Sequence, residues 1–262
     1  IMSNSTIHDV THRRAILYLV LTAVLWSTSG LLVKVIDWQP MSILAGRSLL
    51  AAGVFTLYLR DLRFRPSGVQ VVGALAFLAT QVLFITATKM TTAANAIFLQ
   101  YTAPVTVIPL SVLWLGERPQ RADWLTLPTI LVGLIFFFGD KLSLDGRIGN
   151  LLAILSGVTM AVMTVCMRKA GTDGDHDHAP AQTILISHAM GALIGLPSVF
   201  RESFTVQSLG IITFLGLIQI GLAFVLYSVA IRHVHALETT LIVTLEPILN
   251  PLWVFLVLGE TP

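Results

Sequence analysis

The sequence predicts an all-α membrane protein, a 5+5 bundle in which the second five helices repeat the first upside down. Three observations carry that expectation. Hydrophobic residues make up 55% of the chain and charged residues 11%, whereas about a quarter of a soluble domain is charged. Residues 71–119 lie over residues 214–262 at a constant offset without a gap. The basic residues gather in alternate loops rather than evenly along the chain.

The repeat is specific in its residues. Gly73 falls on Gly216, Val82-Leu83 on Val225-Leu226, Ala87 on Ala230, Ala93 on Ala236 and Pro104 on Pro247. Leu115-Gly116-Glu117 falls on Leu258-Gly259-Glu260, and Lys89 meets Arg232. A second alignment places Leu17 on Leu151, Leu21 on Leu155, Val24 on Val158 and Lys34 on Arg168. Helices three and four thus match helices eight and nine, and the first matches the sixth. An odd number of spans per repeat inverts the second copy in the bilayer. Inverted repeats are a hallmark of secondary transporters, because exchanging the conformations of the two halves exchanges inside for outside.

A hydrocarbon core about 30 Å thick needs roughly twenty helical residues. Nine runs meet that need: 15–36, 41–59, 69–88, 93–115, 122–139, 148–169, 181–200, 209–230 and 236–258. Clusters such as Asp37-Trp38-Gln39-Pro40 and Gly116 to Pro119 separate them. Pro128 interrupts the fifth run. The apolar run after the polar residues 1–14 is too long for a signal-peptide core, so it is expected to remain as the first helix. Residues 1–14 read as a cytoplasmic tail, 15–139 as the first repeat and 140–262 as the second, with helices six to nine. A tenth helix is expected beyond Pro262.

With the amino terminus inside, ten basic residues face the cytoplasm: Arg13, Arg14, Arg60, Arg63, Arg65, Arg118, Arg121, Arg168, Lys169 and Arg232. Five face outward: Lys34, Lys89, Lys141, Arg147 and Arg201. That bias is the one cytoplasmic loops carry, and an inner (plasma) membrane of bacterial type is expected. Only Arg47 is left over, and it lies inside a helix. A net charge of +2 gives no reason to expect nucleic acid as a partner. Cys166 is the single cysteine, so neither a disulfide nor a thiolate metal cluster is expected. No phosphate-binding loop of the Gly-x4-Gly-Lys-Ser/Thr kind occurs, which argues against ATP hydrolysis by this chain.

Several polar residues fall where lipid would be. Glu246 lies about 15 Å into the ninth helix at 1.5 Å per residue, near the bilayer midplane. A charge there costs at least about 2.5 kcal/mol on insertion scales, so it must be paired, hydrated or protonated. Pro247 removes a backbone donor and frees the carbonyl of Val243, and Asn250 lies one turn on. Glu246 reads either as a substrate or proton site in a cavity or as a buried group that holds helices together. Pro104 is the repeat counterpart of Pro247; it frees Gln100, and Ala103 stands where Glu246 would. Gln100 and Tyr101 face either a cavity or a neighbouring helix. Gln81 and Thr88 share one face of the third helix, Gln219 and Tyr227 one of the eighth, and inward orientation suits them.

Trp26-Ser27-Thr28-Ser29-Gly30 lies near the middle of the first helix. Small residues there permit close helix approach, while Trp26 and Ser29 offer a cavity wall. Arg47 is about 9 Å from its helix end, close enough to snorkel or form a salt bridge, or else placed to recognise an anion. His188 reads as a neutral, hydrogen-bonded residue or a proton relay, and Gly191 with Gly195 as a helix contact. Asp173-Gly174-Asp175-His176-Asp177-His178 has the composition of a weak divalent-metal binder, but it is a polar loop without companions, and neither a metal site nor a cofactor is expected.

The carrying residues also resemble a known family. Leu25-Trp26-Ser27-Thr28-Ser29-Gly30, Arg47, Ala87-x-Lys89-x-x-Thr92-Ala93, Pro104, Leu115-Gly116-Glu117, Leu245-Glu246-Pro247 and Leu258-Gly259-Glu260 are similar to the drug/metabolite transporter superfamily, specifically its EamA family of permeases. The likeness spans essentially the whole chain. It implies ten helices and export of small metabolites, amino acids or drugs. The expected partners are a small-molecule substrate and the lipid bilayer, with the protein a monomer or weak homodimer. An uptake permease and a non-transporting membrane subunit are the alternatives. A membrane-embedded enzyme would need paired acid and base groups, and the midplane carboxylate stands alone. The substrate cavity is expected at mid-membrane between the halves, walled by helices one, three, four, six, eight and nine near Pro104 and Pro247.

Overall fold

The computed structural model describes residues 4–138, 146–172 and 178–258, which form nine helical spans. Seven helices among the described residues are long and apolar enough to cross a membrane. The second is Pro40–Leu59, the third Gly68–Met90, the fifth Arg121–Phe138, the sixth Arg147–Thr172 and the seventh Ala179–Val199. The polar run at the amino terminus is helical from Asn4 and continues into the first span. Pro128 does not end the fifth span, which runs on to Phe138. The third and eighth spans both open on capping boxes, Ser67 with Gln70 and Thr205 with Ser208, which satisfy orphan backbone donors at the helix start. Large apolar side chains point outward to the lipid, among them Leu57, Leu113, Phe136 and Leu193.

Four spans depart from the continuous helices the sequence suggests. The first consists of Asn4–Trp26 and Ser29–Val35, broken at Ser27-Thr28. There Ser27 Oγ donates to the Val24 carbonyl at 2.6 Å and Thr28 Oγ1 to the Leu25 carbonyl at 2.8 Å. These hydroxyls engage carbonyls the helix would otherwise use, an effect that bends or interrupts helices. The fourth span breaks between Ala93–Gln100 and Ala103–Trp114, and the ninth between Ala236–Val243 and Leu245–Leu258. Pro104 and Pro247 account for those two, since each lacks the donor and crowds the preceding turn. The eighth span passes from Val206–Phe214 through π-helical Leu215–Leu222 to Ala223–Ala230, a geometry that recurs at functional sites.

The halves pack in a related way. The third span lies along the sixth, and the first along the eighth. The second lies along the seventh, where Ser48 and Ala45 occupy the space above Gly191 and Gly195. The fourth crosses the ninth. Exchanging the repeats maps each of these contacts onto another or onto itself.

The face that carries the amino terminus is tied by the Leu115-Gly116-Glu117 turn. Gly116 takes φ +69, a left-handed conformation that a side chain would strain. Glu117 Oε1 accepts from Arg168 Nε at 2.7 Å, and its Oε2 from the Ala236 backbone N–H at 3.0 Å. Arg168 Nη1 reaches the Ile231 and Arg232 carbonyls at the end of the eighth span. On the opposite face its repeat counterpart, Lys34, caps the third span by donating to the Thr91 carbonyl at 2.8 Å. Cations at helix C-termini are stabilised by the carbonyls left open there. Residues 173–177 of the Asp/His loop and the second Leu-Gly-Glu turn at 259–260 lie outside the described residues.

Candidate functional site

A cavity lies at the level of the helix breaks. Its wall draws on both halves. Trp26 and Ser29 come from either side of the break in the first span, Arg47 from the second, and Phe77, Thr80, Gln81 and Phe84 from the third. Gln100 closes the fourth span's first segment, the sixth gives Met160 and Met163, and the π-helical stretch gives Gln219 and Ile220. Phe224 and Glu246 complete it. The wall is apolar and aromatic in bulk, with a few polar groups set into it.

The carboxylate owes its place to the ninth span's break. Leu245 opens the second helical segment, so Glu246 lies in its first turn, where backbone N–H groups favour negative charge. Tyr101, from the break of the fourth span, places its hydroxyl 2.5 Å from Glu246 Oε2 and 2.8 Å from the Val243 carbonyl. Val243 is the carbonyl that Pro247 deprives of its helical partner. One phenol therefore serves both consequences of the Glu246-Pro247 pair.

The guanidinium lies in the same wall. Arg47 is buried, at 2% exposure, so it does not snorkel to the surface. Its Nη2 donates to Gln81 Oε1 at 2.9 Å, and among the described residues no carboxylate lies within ion-pair distance of it. Gln100 Nε2 donates to Ser156 Oγ at 2.7 Å, and Ser156 Oγ to the Thr80 carbonyl. That chain locks the third, fourth and sixth spans behind the wall.

Of the residues singled out in the sequence, Trp26, Ser29, Arg47, Gln81, Gln100, Gln219 and Glu246 line the cavity. Tyr101, Pro104, Tyr227, Pro247 and Asn250 do not. Tyr101 stands behind Glu246. Tyr227 donates to Thr164 Oγ1 at 3.1 Å and packs at a tilt against Trp26, with ring centroids 5.4 Å apart. Asn250 sits against Gly30 of the first span. Pro104 and Pro247 are buried within their breaks. Thr88 is spent on the Phe84 carbonyl, and Thr80 takes the wall position instead. His188 lies outside the wall, 3.3 Å from Ser48 Oγ and ringed by Phe55, Phe77 and Phe224.

Apart from Trp26, the aromatic and thioether residues of the wall escaped sequence reading. Phe77, Gln81 and Phe84 fall at i, i+4 and i+7, and Met160 and Met163 at i, i+3, so each set shares a helix face. Flexible thioethers beside rings suit an adaptable apolar surface.

Comparison with known proteins places the chain. A solved crystal structure superposes with a TM-score of 0.78 at 19% identity, covering 95% of this chain and 91% of the other; that likeness concerns the fold. An uncharacterized transporter of Archaeoglobus fulgidus is 29% identical over 247 residues, 93% of this chain and 87% of the relative. The EamA-like transporter family matches residues 13–139 and again 147–262. With the family found in both halves, the chain belongs to the EamA-like transporters, multi-pass integral membrane proteins of the drug/metabolite transporter superfamily.

Proposed function

We propose that this chain is a secondary exporter that moves small metabolites through the central cavity by alternating access. The observation that carries the reading is the cavity itself. It lies between the two halves, beside three broken spans, and joins one midplane carboxylate to walls from both repeats. Broken helices around a mid-membrane site are how many secondary transporters expose backbone and charge to a solute. The chemistry asked of the wall is binding and release, so the reading is of a carrier rather than an enzyme. The working unit is a monomer or weak homodimer in a bacterial-type inner membrane, with the amino terminus and the 115–117 turn in the cytoplasm.

Glu246 is the coupling group in this reading. Two hydrogen-bond patterns fit the positions of Glu246, Tyr101 and Val243, one for each protonation state. With the carboxylate ionised, the Tyr101 hydroxyl donates to it. With the carboxylic acid, Glu246 donates to the Tyr101 oxygen and the phenol donates onward to the Val243 carbonyl. Neither state leaves the phenol proton without an acceptor. A site stable in both states suits a proton that loads and leaves.

The test is an efflux assay in everted vesicles with a panel of small metabolites, with and without a pH gradient. Flux above the empty-membrane background is expected for a subset of the panel. No flux of any solute in either direction would contradict the transport reading, and flux only into the cell would overturn export. Single-cysteine labelling in a Cys166→Ala background tests the orientation; the 115–117 and 258–260 turns are expected on opposite sides.

A further inference from the structure

We propose that Glu117 and Arg168 are the latch of a gate on the face that carries the amino terminus. Parting them from the loop between the eighth and ninth spans opens the chamber to that side. The inference rests on reading the central cavity as the transport chamber, and it names the residues that hold the chamber shut.

The order of residues along three spans shows what lies between chamber and latch. The fourth span presents Gln100, then Val107, then Glu117, and the sixth Met160, Val165 and Arg168. The ninth, read from the chamber outward, presents Glu246, Leu241 and Ala236. The first of each set lines the cavity. The second of each packs into one buried apolar cluster with Leu127, Ala161 and Leu237. The third of each meets the others in the latch. At 1.5 Å per residue, Met160 and Arg168 are about 12 Å apart along their helix. Solute can pass between these spans only if that short plug parts.

The latch is built on two helix ends. His235 precedes the ninth span's first segment, and its side chain makes no capping bond. Glu117 supplies the missing acceptor from another span, its Oε2 taking the Ala236 N–H at 3.0 Å. The eighth span ends at the Ile231 and Arg232 carbonyls, and Arg168 Nη1 donates to both. A carboxylate at a helix N-terminus and a cation at a C-terminus each have the favourable sign. The two charges also hold one another, Arg168 Nε donating to Glu117 Oε1 at 2.7 Å.

Packing at this face defines two bodies. The fourth span's second segment lies on the sixth span, and Lys169 Nζ donates to the Trp114 carbonyl between them. The first span lies on the eighth and on the ninth's first segment, and His12 adds contacts to the His233 carbonyl and Glu238. The bonds of Glu117 and Arg168 to residues 231, 232 and 236 cross from one body to the other, beside a longer contact of Gln120 with His235. When the bodies separate, Glu117 and Arg168 stay paired. Opening therefore strips two helix ends of their caps without baring a charge, so the latch biases the closed state and still releases.

The experiment measures access rather than transport. In a Cys166→Ala background, a single cysteine replacing Met163 in the chamber wall reacts with a charged, membrane-impermeant methanethiosulfonate. Everted and right-side-out vesicles are compared, and a separate Arg118→Cys protein marks which of them exposes the latch face. Glu117→Gln is expected to raise the reaction rate from the latch face about tenfold, the scale of a lost hydrogen bond to a charged group. The rate from the other face should not rise. Arg168→Lys keeps the charge but loses the planar fork, and should raise the latch-face rate by a smaller factor. It decides the question if the glutamine variant does not accumulate. An unchanged rate from the latch face, or an equal rise from both faces as general loosening would give, overturns the proposal. Because no solute is involved, a latch that behaves as expected in a protein that moves no solute would count against the transport reading alone.

Discussion

The two proline breaks are copies of one another, and they have been put to different uses. At the first, Ala103 precedes Pro104, and the Gln100 carbonyl lies against Gly157 of the sixth span. A Cβ at Gly157 would stand 2.5 Å from that oxygen, so only glycine lets the backbones approach. At the second, Glu246 precedes Pro247, and the freed Val243 carbonyl meets a phenol. That phenol is Tyr101, contributed by the first break. Duplication thus kept the geometry twice and the carboxylate once. The neutral break offers a hydroxyl to the charged one, so the two repeats meet at the site through unequal chemistry.

The largest expected effect comes from making the breaks alike. Ala103→Glu would place a second carboxylate at a fully buried position, at a cost of at least about 2.5 kcal/mol in the membrane. We expect loss of folded protein, measured by monodisperse yield in detergent. Normal yield would mean that the first break can also hold a charge. Gly157→Ala should follow, with the added methyl costing about 1–3 kcal/mol through overpacking against backbone and a lowered Tm as the readout. An unchanged Tm would show that the fourth and sixth spans separate easily. Tyr101→Phe removes the hydroxyl shared by Glu246 and Val243. A loss of about 1–3 kcal/mol is expected from the unsatisfied partners, together with a displaced pH dependence of flux. Stability lost with the pH profile intact would leave Tyr101 a packing role.

Much of this architecture was legible. The offset repeat, the nine apolar runs and the paired prolines all follow from the letters, because a bilayer imposes a length and a composition on each span. The observed third and seventh spans differ from the sequence runs by one or two residues at each end. The break at Ser27-Thr28 was not legible. No proline marks it, and the competition of two hydroxyls for carbonyls depends on rotamers that the sequence does not specify. Nor was the π-helical stretch, where Gly216 and Gly221 supply small residues but no distinctive signal.

The cavity divides along the same line. Polar residues in an apolar run stand out, which is why Arg47, Gln81, Gln100, Gln219 and Glu246 could be named in advance. Phe77, Phe84, Met160, Met163, Ile220 and Phe224 could not, because an apolar side chain suits lipid and cavity equally. Tyr101 and Tyr227 carry polar handles, yet those hydroxyls are spent on Glu246 and Thr164 behind the wall. A polar residue in the membrane announces burial, and only packing decides whether it faces a chamber or a neighbour.

The unequal breaks bear most directly on coupling, and Glu246→Gln in proteoliposomes addresses it. Glutamine keeps the volume and a carbonyl acceptor but cannot carry the proton. The variant should bind and exchange substrate for substrate while losing flux driven by a pH gradient, with His188→Gln, buried beside Ser48, retaining it. Undiminished pH-driven flux in Glu246→Gln would contradict the assignment and return Glu246 to a packing role equivalent to that of Ala103.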